Sequence, residues 1–187
     1  FCASNQPESW CNILQEKLGA NRIRWFGNPG RSIWSVFFQF NKLIEQNRVP
    51  DISIFCWTEP HRLYHPELIL SIGTKPLEGV DPNIYKTLDN YWKYLHSTEK
   101  SEMSYEYALK YYDQNILSKL DKQIVQMWSF KPNTDIKLTT GTFIDESMFE
   151  FSKGAGVKDG WGIGTINHMT VEQNQQWADK VYGRLNI

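Results

Sequence analysis

Apolar positions along the chain alternate between helical and extended spacing. Pro7-Glu8 opens a helix in which Trp10, Ile13, Leu14 and Leu18 recur at helical intervals, and Gly19 supplies its stop. Arg22-Ile23-Arg24-Trp25-Phe26 predicts a short strand, and Gly27-Asn28-Pro29-Gly30 a turn. After Ser32, the residues Ile33, Val36, Phe37, Phe40 and Ile44 repeat with the 3.6-residue period of an amphipathic helix. Ile52-Ser53-Ile54-Phe55-Cys56-Trp57 is a nearly unbroken apolar run, which predicts a strand buried on both faces. Residues 63–82 carry Pro66, Gly73, Pro76, Gly79 and Pro82 and predict a long irregular excursion, with a short strand at 68–72. Helices are expected at 84–97 and 102–122, a strand at 124–130, and an extended segment near 136–140. The glycines from Gly154 to Gly164 make that stretch a loop. Thr170 and Gln173 have capping-box spacing, and Val171, Ala178, Val181 and Leu185 form the stripe of a final helix.

Strands that alternate with helices predict an α/β domain with a parallel sheet and helices on both faces. Ligands of such sheets sit outside the C-terminal ends of the strands. Candidate chemistry therefore belongs to the turn at 27–32, the turn at 58–62 and the loop around His168.

Composition narrows the picture further. A chain of 187 residues, 41% of them hydrophobic, suits one domain spanning 1–187 with a real core. Twenty basic residues against 21 acidic ones give no basic excess for a broad nucleic-acid footprint. No apolar run approaches membrane-spanning length, so no membrane partner is expected. Phe1-Cys2-Ala3-Ser4 has no basic region or long apolar core of the kind a signal peptide carries. Cys2, Cys11 and Cys56 cannot all pair within the chain and match no zinc spacing. They are expected to be reduced thiols in a reducing compartment. Eight Trp, nine Tyr and ten Phe supply rings for a core, an interface or a sugar platform.

The three places, in order, resemble blocks of the SGNH (GDSL-type) hydrolases, phage-encoded members above all. Their first block reads Gly-Asp-Ser-Phe-Cys before a Trp-containing helix; Phe1-Cys2-Ala3-Ser4 and Ser9-Trp10 match the residues after that Ser. Asn28-Pro29-Gly30-Arg31-Ser32 fits the second block, an Asn followed by Gly-x-Ser. Trp57-Thr58-Glu59-Pro60-His61-Arg62 stands where the family has Gly-x-Asn-Asp, without its Asn. The last block is Asp-x-x-His before the final helix, and Thr165-Ile166-Asn167-His168 keeps the His with Thr in place of the Asp. The resemblance implies a flavodoxin-like three-layer sandwich and serine ester or acetyl hydrolysis of a carbohydrate or lipid ester, with no metal and no cofactor. Its alternative is a non-catalytic phage structural or glycan-binding module that kept the fold.

Under the resemblance, His168 exchanges a proton with a Ser hydroxyl and the leaving group. Without it, His168 is an ordinary loop residue. Gly30 offers its backbone N–H to an oxyanion or simply makes a turn. Thr58 replaces the missing amide with one donor, or caps a strand end. Glu59 and Arg62 line the cleft as an ion pair, or form a surface pair of little worth. Asp159 is the one acid placed to reach back toward His168. The family's serine falls immediately before Phe1; Ser4, Ser9 and Cys2 are the nearest substitutes, and Ser9 fits a helix cap better. In the flavodoxin-like order 2-1-3-4-5 the first strand is central. Each buried backbone group it left unpaired would cost about 1–3 kcal/mol. The biological chain is therefore expected to continue upstream by a short strand ending in Gly-Asp-Ser.

Overall fold

A computed structural model describes residues 7–24, 26, 31–65, 68, 70, 79–152 and 169–187. Helix α1 (Trp10–Leu18) begins after Ser9 and closes on Gly19 in the left-handed conformation. Helix α2 (Ile33–Glu45) begins after Ser32, and strand β1 (Ile52–Trp57) comes next. Helix α3 (Pro82–Asn90) starts from the Asp81 cap and runs into a π-helical turn, Tyr91–Leu95. Helix α4 (Thr98–Asn115) starts from the Ser97 cap, ahead of strand β2 (Gln123–Trp128). Strand β3 (Thr142–Ile144), the short α5 (Met148–Ser152) and α6 (Val171–Tyr182) complete the order. The expected capping box is present: Gln173 N–H donates to Thr170 Oγ1 at 3.1 Å, and Thr170 N–H to Gln173 Oε1 at 3.0 Å.

The strands form one parallel sheet in the order β1-β2-β3, with Ile52 opposite Gln123 and Val125 opposite Thr142. Side chains alternate across it. Phe55, Trp57, Ile124 and Trp128 enter one core with α2 and α4, built on Phe37, Phe40, Leu109 and Tyr112. Val125, Met127 and Ile144 enter the other with α1 and α6, built on Trp10, Leu14, Trp177 and Val181. Helices thus cover both faces, so the described residues form a mixed α/β fold around a small parallel sheet. Phe37 meets Trp57 and Phe40 meets Phe55, so α2 runs antiparallel to β1, and its start lies beside the end of that strand.

Five expectations change. Arg22, Ile23, Arg24 and Phe26 are irregular rather than extended into a strand. The sheet of described residues ends at β1, so this segment has no neighbour to pair with. Burial on both faces belongs to β2, the middle strand; Ile52, Ile54 and Cys56 of β1 are only half-buried. The segment 136–140 is not a strand, and the third strand starts two residues later, at Thr142. Ile136 and Leu138 instead pack on the α4 side, doing the covering work of a crossover helix. Of the 68–72 strand, the described residues show a single bridge, Leu63 with Leu70. Finally, Cys11 is disulfide-bonded and Cys56 is a free thiol, which corrects the expectation of three reduced cysteines.

Candidate functional site

The C-terminal edge of the sheet gathers the described candidate residues. The β1–β2 pairing runs one step past the strands, where Ser129 N–H donates to Trp57 O at 2.7 Å. Phe149 N–H donates to Ser129 O at 3.1 Å and brings α5 to the same end. Thr58 comes directly after β1. It is 8% exposed, its carbonyl accepts the Tyr105 hydroxyl of α4, and its own Oγ1 is buried with no partner among the described residues. A buried hydroxyl without a partner costs free energy, so it marks a place that a ligand can satisfy.

Glu59 and Arg62 form the expected ion pair, at 2.8 Å. The Arg62 side chain is only 10% exposed, while that of Glu59 is 39% exposed. The Arg62 guanidinium also lies 5.7 Å from the centre of the Phe130 ring, just past β2. Burial pushes the Tyr105 hydroxyl far above its ordinary range, the Glu59 charge pushes the same way, and Arg62 opposes both. Tyr105 is therefore a neutral donor here, holding the Thr58 carbonyl.

Two histidines join this edge from different elements. The rings of His61 and His96 are 5.4 Å apart, edge to face, and Trp92 stands 4.5 Å from His96. Ser101 Oγ lies 3.2 Å from His96 Nε2, while His61 Nδ1 is buried without a partner among the described residues. Burial, then the neighbouring His61, holds His96 below the usual imidazole range. Sequence reasoning misses His96; its signal is the Trp92-x-x-x-His96 spacing, which puts both rings on one helical face. Tyr105 is hidden among the tyrosines of α4, although Tyr105, Leu109 and Tyr112 mark its buried face.

The second block meets the third at its described end. Arg31 donates through Nη1 to the carbonyls of His65, at 2.5 Å, and Leu68, at 3.4 Å. These bonds tie the start of α2 to the loop after Thr58–Arg62. Ser32 precedes α2 with a buried hydroxyl that has no partner among the described residues. Ser9 occupies the cap position of α1 but makes no side-chain cap bond. His168, Gly30, Asn28, Asp159, Thr165, Cys2 and Ser4 lie outside the described residues. Thr170, two positions after His168, is fixed where α6 begins. Asn174 of that first turn accepts from Trp10 N–H at 2.9 Å, and Gln173 donates to Phe151 O at 3.2 Å.

Among the described residues, no three His, Cys, Asp or Glu side chains converge as metal ligands, and no helix is long and apolar enough to cross a membrane. Among the described residues, what the edge offers chemically is the unpartnered Thr58 hydroxyl, a sheltered guanidinium and the His96 imidazole. No protein-family model, no curated protein and no solved structure matches the chain.

Proposed function

We propose that the chain is an SGNH-type ester or acetyl hydrolase acting on a carbohydrate or lipid ester at the C-terminal edge of its sheet. The observation that carries this reading is Thr58: a buried hydroxyl, unpartnered among the described residues, at the end of a parallel strand, in the position where the resemblance expects an oxyanion donor. Tyr105 supports it by holding the Thr58 carbonyl, which fixes the backbone that aims the hydroxyl.

In this reading the serine that the resemblance sets ahead of Phe1 attacks the ester carbonyl, and His168 takes its proton and returns it to the leaving alkoxide. Negative charge gathers on the former carbonyl oxygen, where the Thr58 hydroxyl and the Gly30 N–H donate to it. Arg62, sheltered and already paired with Glu59, orients polar groups of the substrate and leaves the site close to neutral. Two departures set the reading apart from its family: Thr for an amide at position 58, and Thr for the acid at position 165.

A fluorophosphonate probe tests it. The full-length protein forms a covalent serine adduct, and His168→Ala abolishes the adduct without unfolding the chain. A folded wild-type protein that forms no adduct overturns the hydrolase and leaves the non-catalytic phage structural or glycan-binding module.

A further inference from the structure

The opposite end of the sheet carries a feature that ester hydrolysis does not use. An open cleft of about 440 Å³ lies between Arg22, Arg24 and Phe26 on one side and the last turns of α2 on the other. Four cations line it: Arg22, Arg24, Lys42 and Arg48. Its other walls include Gln39, Gln46 and the Phe26 ring, and among the described residues no carboxylate lines it. Among the described residues none of the four cations forms a salt bridge. Arg48 reaches only the amide of Gln46, at 3.3 Å, and Lys42 lies over the Phe38 ring. The charges feel one another: desolvation first, then Arg48 and Arg22, hold the Arg24 guanidinium below its ordinary range.

A chain with nearly balanced charge has acids enough to neutralise such a cluster, yet none of the described ones lines it. Four like charges facing one cleft repel, and a bound polyanion removes that repulsion. Three of the four are arginines, whose planar forks match phosphate oxygens two at a time. Phe26 is 39% exposed, a ring free to stack, and the glutamine amides can both donate and accept. The cleft has the size of a small-ligand site rather than of a long nucleic-acid track.

We infer that this cleft binds a nucleoside polyphosphate, with its phosphates on Arg22, Arg24 and Arg48 and its base against Phe26. The inference is independent of the hydrolase reading, since the cleft and Thr58 lie at opposite ends of β1. Calorimetric titration of the full-length protein at low salt with ATP, inorganic triphosphate and a short single-stranded oligonucleotide tests it. ATP should bind, R24Q/R48Q should weaken it at least tenfold, and Phe26→Ala should weaken ATP but not triphosphate. Raising the salt should weaken binding steeply. Absence of ATP binding, ATP binding unchanged in R24Q/R48Q, or triphosphate bound as tightly as ATP would overturn the assignment. So would an oligonucleotide bound more tightly than ATP, which would make the cleft a strand-binding surface.

Discussion

Asp113 shows most clearly how single residues hold this fold. It is 1% exposed at the end of α4 and accepts from Gln126 Nε2 at 2.7 Å, Thr139 N–H at 2.7 Å, Thr139 Oγ1 at 3.0 Å and Thr140 N–H at 3.1 Å. Gln126 in turn accepts from Trp57 Nε1 at 3.0 Å, so one buried network links β1, β2, α4 and the approach to β3. Burial alone would raise the Asp113 carboxyl, but the hydrogen bonds from Thr139, Gln126 and Thr140 outweigh it and leave the group below its usual range. A carboxyl depressed in the folded state stabilises fully above the unfolded value of about 3.9, and that stability is lost as pH falls through the folded value. Asp113→Asn puts an amide N–H₂ among donors and should cost about 2–4 kcal/mol in urea unfolding at pH 7, with a smaller difference near pH 2. A second residue-scale outcome concerns Cys56, whose thiol burial pushes up to about 11. It should alkylate far more slowly with iodoacetamide at pH 8 than an ordinary free cysteine, because little thiolate is present.

At the scale of elements, β3 depends on one glycine. Gly141 has φ +69, and a Cβ there would fall 2.2 Å from the Ile124 carbonyl oxygen of β2. Gly141→Ala combines a left-handed backbone penalty with that clash and should destabilise by about 2 kcal/mol or more, read as a lowered denaturant midpoint. Thr170→Ala removes half of the α6 capping box and should cost about 1 kcal/mol. The elements that the sequence predicts well are those whose signal is local: the α2 period, the apolar run of β1, the Gly19 stop and the Thr170 cap. Those it misses depend on distant partners. Thr139-Thr140 looks like strand because its residues are β-branched, but Asp113, 26 positions away, takes the Thr139 N–H. Arg22–Arg24 has strand composition and no strand beside it among the described residues.

For the whole molecule, the site was legible only as an address. The rule that ligands gather beyond strand C-termini led to Thr58, Glu59 and Arg62; Glu59 pairs with Arg62, and the Thr58 carbonyl holds Tyr105, which feels both charges. His61 and His96 meet there through tertiary packing, 35 positions apart, with no motif that joins them. β1 raises a further expectation. It pairs on one side only among the described residues, yet it carries no charge or proline to guard the other edge. With an added parallel strand, every backbone amide of β1 would be protected from hydrogen exchange. An open edge leaves alternate amides fast. The hydrolase reading predicts full protection in the full-length protein.

Thr58 and His168 are proposed to serve one ester-cleaving site, and the hydrolase reading depends on that pairing. Turnover of p-nitrophenyl acetate by full-length wild type, His168→Ala and Thr58→Val measures it most directly. The expected result is turnover by the wild type, its loss in His168→Ala, and a fall of about a hundredfold in Thr58→Val from removal of one oxyanion donor. A folded wild-type protein without turnover, or a His168→Ala variant that turns over at the wild-type rate, would contradict it.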